Sequence, residues 1–151
     1  MLLACGNGVN DLRTQEFRAG RREDMLTQRT SVCWVPEARC PRWLGFLADV
    51  FPGRREMLTF IQRAVGYSLT GLTREEVFFI LHGRGRNGNG TFLGTLLAVH
   101  GNYACNIEFS TLIADRDRGK GPRNDIAALS GFVVAQESRE GAYLDESLIK
   151  L

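Results

Sequence analysis

The sequence predicts a mixed α/β chain in which a small helical module precedes a strand, glycine loop and helix. Three observations carry that expectation. Apolar residues recur at helical spacing between Trp43 and Leu69. Val77-Phe78-Phe79-Ile80-Leu81 is a continuous apolar run, β-branched and aromatic, of the kind that fills a strand buried on both faces. A glycine-rich stretch, Gly83 to Gly90, follows directly and leads into a second helical pattern.

Residues 1 to 41 read as irregular, with a turn at Gly6-Asn7-Gly8 between short extended pieces and a possible strand from Thr30 to Val35, ended by Pro36. A first helix is expected from Pro41, through Trp43, Leu44, Phe46, Leu47, Val50 and Phe51, with Pro52-Gly53 as its stop. A second runs from about Arg54 to Leu69, with Met57, Phe60, Ile61, Ala64, Val65 and Leu69 on one face. Core packing explains such stripes, and the two are expected to close on each other. Beyond Gly71 come the apolar run, the glycine loop and a helix through Phe92, Leu93, Leu96, Leu97 and Val99. Asn106 to Phe109 reads as a short strand, Asp115 to Asn124 as a polar loop, Phe132 to Ala135 as a buried strand and Asp145 to Leu151 as the start of a helix. The expected division is 1–72 for the irregular and helical module and 73–151 for the α/β part.

Composition narrows the class. With 44% hydrophobic and 24% charged residues in 151, the chain can bury a core, and wholesale disorder is not expected. No apolar run approaches the length of a membrane span, and Met1-Leu2-Leu3-Ala4-Cys5 lacks the basic start of an export signal, so a cytoplasmic protein is expected. A net charge of +2 decides nothing about nucleic acid. Cys5, Cys33, Cys40 and Cys105 lack zinc-site spacing and are expected to be buried thiols.

The candidate chemistry lies in Gly83-Arg84-Gly85-Arg86-Asn87-Gly88-Asn89-Gly90-Thr91. A triphosphate loop follows G-x-x-x-x-G-K-[ST]: glycines let backbone N–H groups curl round the phosphates, a lysine neutralises them and a hydroxyl holds magnesium. Here the glycines fit, but Asn89 stands where the lysine belongs and Gly90 where the hydroxyl belongs, with Thr91 one step later. A register opening at Gly85 behaves as though the lysine were deleted. Asn is shorter and neutral, so it does not replace a charge bridging two phosphates. A ligand-free glycine turn is the competing explanation. Glu137, just after the strand at Phe132 to Ala135, stands where nucleotide-hydrolysing folds place an acid that holds magnesium or polarises water.

With these elements in place, the chain resembles the phage, prophage and plasmid primase–helicases of the superfamily 3 helicase type. The resemblance is carried by Gly6-Asn7-Gly8-Val9 with Asp11-Leu12-Arg13-Thr14, Cys40-Pro41-Arg42-Trp43, Gln62 to Gly71, Phe78 to Gly83, Asn87-Gly88 with Phe92-Leu93, and Val133 to Glu137 leading to Leu144-Asp145-Glu146. It spans nearly the whole chain. It implies a helical N-terminal module followed by an incomplete P-loop, AAA+-like three-layer α/β core. It further implies ATP and magnesium as cofactors, single-stranded or forked DNA as partner, and a homo-oligomeric ring. By position, Gly83, Gly85, Asn87, Gly88, Asn89, Gly90 and Thr91 are the nucleotide-binding candidates, Thr91 and Glu137 the magnesium candidates, and Glu137 the catalytic acid. The family would have further motifs after Lys150, so a truncated piece, inactive in ATP hydrolysis, is expected. The alternative is a non-catalytic remnant that docks onto replication proteins.

Overall fold

The computed structural model describes residues 1–83, 85–113 and 131–136. Among these, 39% are helical and 19% lie in strands, which makes the chain a mixed α/β protein as expected. It opens with an antiparallel sheet of β1 (Leu2–Cys5), β2 (Gly8–Asp11) and β3 (Glu16–Arg18), in that order. Gly6 and Asn7 form the two-residue link that sets Cys5 opposite Gly8 and Leu2 opposite Asp11. The second link is fastened by Asp11, whose Oδ1 accepts from the Arg13 N–H at 2.9 Å and from the N-terminal ammonium at 3.2 Å. Those donors, the Arg13 amide first, hold the Asp11 carboxyl below its usual range. The third strand went unseen in the sequence because Glu-Phe-Arg carries no alternation long enough to register.

Thr30 to Val35 is not a strand, contrary to expectation. Thr30 N–H donates to the Ala4 carbonyl and Gly6 N–H to the Val32 carbonyl, both at 2.9 Å, but bends at Ser31 and Val32 break the ladder between them. The segment acts instead as a strap. It is pinned by Asn7, whose amide donates to the Trp34 carbonyl at 2.9 Å and accepts from the Trp34 N–H at 2.8 Å. The Trp34 ring stacks on Phe17.

Helix α1 (Pro41–Val50) and helix α2 (Arg55–Ser68) form where the apolar periodicity places them. Pro41 occupies the first turn, where its missing N–H costs nothing, and Gly53 takes φ 70° in the link. The two stripes do not close on each other. Leu47 is the one buried residue of α1, α2 has none, and Leu44 and Phe60 are exposed. Instead, α1 turns towards α3 (Asn89–His100): Trp43 stacks on Phe92 with ring centroids 5.6 Å apart.

The largest correction concerns Val77 to Leu81. The run belongs to no strand, and all five residues are exposed, Ile80 at 72%. Its composition suits a buried parallel strand, but such a strand needs a neighbour brought in from elsewhere in the chain. The parallel pair that does form is β4 (Ala104–Glu108) with β5 (Phe132–Gln136), in the register Ala104 opposite Phe132 through Glu108 opposite Gln136. Both were expected from sequence, β4 shifted by two residues at its start. Leu96 of α3 and Val134 of β5 are buried here, and the His100 ring stacks on Phe132 at 4.6 Å. Of the cysteines, Cys33 and Cys40 are exposed rather than buried. No helix among the described residues is long and apolar enough to cross a membrane.

The N-terminal sheet is joined to the end of α3. Ala4 N–H donates to the Tyr103 hydroxyl at 3.1 Å, Ser31 N–H to the Val99 carbonyl at 3.2 Å, and Arg29 N–H to the Asn102 side chain at 2.6 Å. Gly101 makes this closeness possible. Its φ is 61°, and a Cβ there would lie 2.6 Å from Ser31 N and 2.7 Å from the Arg29 carbonyl oxygen.

Candidate nucleotide site

The glycine loop runs into the N-terminus of α3. Gly88 caps the helix in the left-handed region, at φ 86°, where a β-carbon is disfavoured. Space also dictates glycine there, since an added Cβ would meet Val50 Cγ2 at 2.8 Å and Phe46 Cε2 at 3.2 Å. Helix α1 therefore packs directly behind the loop. Arg86, two residues earlier, also takes positive φ, at 63°. Gly83 packs against the Asn87 side chain with no room for a Cβ, whereas Gly85 and Gly90 face open space.

Asn89 is committed to the protein. Its Nδ2 donates to the Leu81 carbonyl at 3.1 Å, and its backbone N–H donates to Asn87 Oδ1 at 3.3 Å. The residue at the lysine position thus ties the end of the apolar run to the start of the helix. It is neutral, and its amide faces a carbonyl. Gly88 makes no side-chain cap, and the first turn of α3 holds no acidic residue. Among the described residues no side chain caps this helix start, where the N–H groups of Gly90 and Thr91 and the positive end of the helix dipole lie. Thr91 is exposed, and its carbonyl accepts from the Thr95 hydroxyl at 2.8 Å, one turn on.

The structure thus brings Gly83, Asn87, Gly88 and Asn89 together at the start of α3 with Gly90 and Thr91. Gly85 stands apart on the exposed bend. Glu137 and Arg84 lie outside the described residues, as do the polar loop at 115–124 and the helix expected from 145. Among the described residues, no cluster of three or more His, Cys, Asp or Glu is arranged to hold a metal ion. The described part of the loop presents backbone N–H groups at the start of α3, and of the two magnesium candidates only Thr91 is among the described residues. Sequence reading missed the back-bond from Asn89 to Leu81. The signal was in the pattern: an amide side chain at a helix start competes for nearby backbone groups.

Residues 1–52 match a family model described as D5 N terminal like, the N-terminal domain of phage and plasmid primase–helicase proteins. The matched segment is the three-stranded sheet, its strap and helix α1, the element that backs the glycine loop. A comparison of the chain with curated proteins finds no match. The resemblance drawn from the sequence extends further, and its helicase portion rests on the motifs alone.

Proposed function

We propose that this chain serves DNA replication as a protein of the primase–helicase type, and that its loop from Gly83 to Thr91 anchors phosphate without turning over ATP. The observation that carries this reading is the match over residues 1–52, whose last helix packs against the loop at Gly88. The uncapped start of α3 supports an anion there, and Asn89, bound to Leu81, supports the loss of turnover. Phosphoryl transfer depends on stabilising charge at the phosphates, and a neutral amide turned to a carbonyl supplies none. DNA as partner and a ring of subunits belong to this proposal through the resemblance. So do ATP and magnesium as ligands of the ancestral site, with Thr91 and Glu137 as the magnesium positions. A docking function without nucleotide is the second reading, favoured by the exposed apolar run.

ATP hydrolysis by the purified chain, with and without single-stranded DNA, tests the proposal. The expected result is no turnover above that of buffer, with Glu137→Gln indistinguishable from the unsubstituted chain. Steady hydrolysis that Glu137→Gln abolishes would overturn it.

A further inference from the structure

His100, the last residue of α3, is buried to 1% exposure, and its Nε2 has no hydrogen-bond partner among the described residues. Its Nδ1 lies 2.7 Å from the Leu96 carbonyl oxygen, which can only accept. Nδ1 therefore carries the hydrogen of the neutral ring, and Nε2 is the bare nitrogen. The ring stacks on Phe132 of β5. Around it, α3 and β5 hold no other titratable side chain. Strand β4 brings Cys105 and, at its far end, Glu108, while β1 brings Cys5. The Tyr103 hydroxyl is engaged with the Ala4 N–H, and Arg29 of the strap is exposed and of the wrong sign. Burial thus pulls the His100 pKa below 6.5, with the Leu96 carbonyl working the other way.

We propose that His100 is an acid-operated latch on the joint between the N-terminal sheet and the end of α3. A proton taken up at Nε2 creates a buried N–H that no described group accepts, and reaching water is what satisfies it. The end of the helix and the Phe132 face both favour a cation, so the missing acceptor, not the charge alone, drives the ring outward. At 1% exposure the ring reaches water only if a neighbouring element lifts. Strand β5 is fixed to β4 by a ladder of five paired residues. The N-terminal module meets this corner through the amides of Ala4, Arg29, Ser31 and Asn102, bonded across to Tyr103, Asn102, Val99 and Arg29. Those acceptors and donors on α3 and its exit all lie within three residues of His100, and the closely fitted Gly101 is its neighbour. The strap is the element that lifts. With the joint open, His100 titrates at its ordinary value; with the joint closed, only below it. Acid therefore favours the open joint as pH falls through 6.5. The latch is independent of the nucleotide reading, since it uses neither Asn89 nor the start of α3.

Amide hydrogen exchange of the full chain from pH 6.5 to about 5.5 tests it, each rate being corrected for the pH dependence of exchange in an open chain. The corrected rates at Ala4, Arg29, Ser31 and Asn102 are expected to rise together as pH falls. For one proton on a group with an open value of 6.5, the ceiling on that rise is about fivefold. Gly6, bonded to Val32 within the module, and Phe92, at the start of α3, should keep their rates. His100→Asn retains an N–H for the Leu96 carbonyl but takes no proton, so it should abolish the rise. His82→Asn, at the other histidine, should leave it intact. Titration of the His100 ring protons by NMR, which needs no variant, should give a midpoint below 6.5. Flat corrected rates at the four amides would overturn the proposal, as would a rise shared equally by Gly6 and Phe92. So would a rise that survives in His100→Asn, or a His100 midpoint at 6.5 or above.

Discussion

The first 34 residues and the stretch from Leu72 to Gly88 both lack an α-helix, yet they end in opposite states. In the first, short strands find their partners two to four residues away, and the strap closes over the hairpin through Asn7. In the second, a far more apolar segment finds no strand partner among the described residues. The difference shows that β-propensity is a statement about fit to a sheet, not a capacity to make one. An antiparallel pair is completed by a tight turn, whereas a parallel strand depends on chain that returns from far away.

Gly101→Ala should break the first region most severely. The new Cβ would meet Ser31 and Arg29 backbone atoms at a residue already in the left-handed region, so the strap must leave the end of α3. A loss of about 1–3 kcal/mol is expected in urea denaturation. Stability equal to that of the unsubstituted chain would mean that sheet and helix are not joined there. Asn7→Ala removes both hydrogen bonds to Trp34 and should cost about 1–2 kcal/mol in the same measurement, with a change in the tryptophan emission. An unchanged midpoint would show that the Phe17–Trp34 stack and the backbone bonds at Thr30, Ser31 and Val32 hold the strap without Asn7.

The smallest effect is one of acid. Arg18 grips Asp24 through two N–H donors at 2.9 and 2.6 Å, the Arg21 N–H adds a third, and the Asp24 carboxyl falls from 3.8 to about 2. A carboxyl lowered on folding stabilises the fold above its unfolded value, and that stability is lost as pH falls through the folded one. The N-terminal module should therefore weaken as pH falls from 3.8 towards 2, and Asp24→Asn should flatten that part of the curve. His100 acts in the same direction at higher pH. Burial lowers its pKa below 6.5, so protonation of the unfolded chain erodes stability below that value. A profile of thermal midpoints against pH for the chain and for Asp24→Asn checks both.

Much of this architecture was legible in the sequence, and for identifiable reasons. Helices α1 and α2 declared themselves through periodicity, with Pro41 at the start of α1, and α3 through the apolar residues Phe92 to Val99 that follow the glycine loop, signals that act within a few residues. Strands β4 and β5 were each legible as short extended segments, but their parallel pairing with each other was not, because it joins segments far apart in the chain. The failures lie where outcome depends on distant chain. Val77 to Leu81 has a strand's composition without its neighbour, and the α1 and α2 stripes turn to Phe92 and Phe79 instead of to each other. At the site, the glycine frame was readable because Gly88 must serve both φ and space, and the missing charge was readable from Asn89. The bond from Asn89 to Leu81 was not, because it joins a helix start to a segment whose course the sequence mispredicted.

That bond leads to the central proposal, that the loop offers a phosphate backbone donors but no charge at the lysine position, Asn89. Calorimetric titration of magnesium–ATP into the unsubstituted chain, Asn89→Lys and Asn89→Gln tests it directly. An ammonium at this position adds a charge-assisted hydrogen bond of about 1.5–3 kcal/mol, so Asn89→Lys should bind about ten- to a hundredfold more tightly. Asn89→Gln adds length without charge and should bind no better than the unsubstituted chain. Equal affinity for the unsubstituted chain and Asn89→Lys would contradict the claim and leave Gly83 to Thr91 as a turn that holds no phosphate.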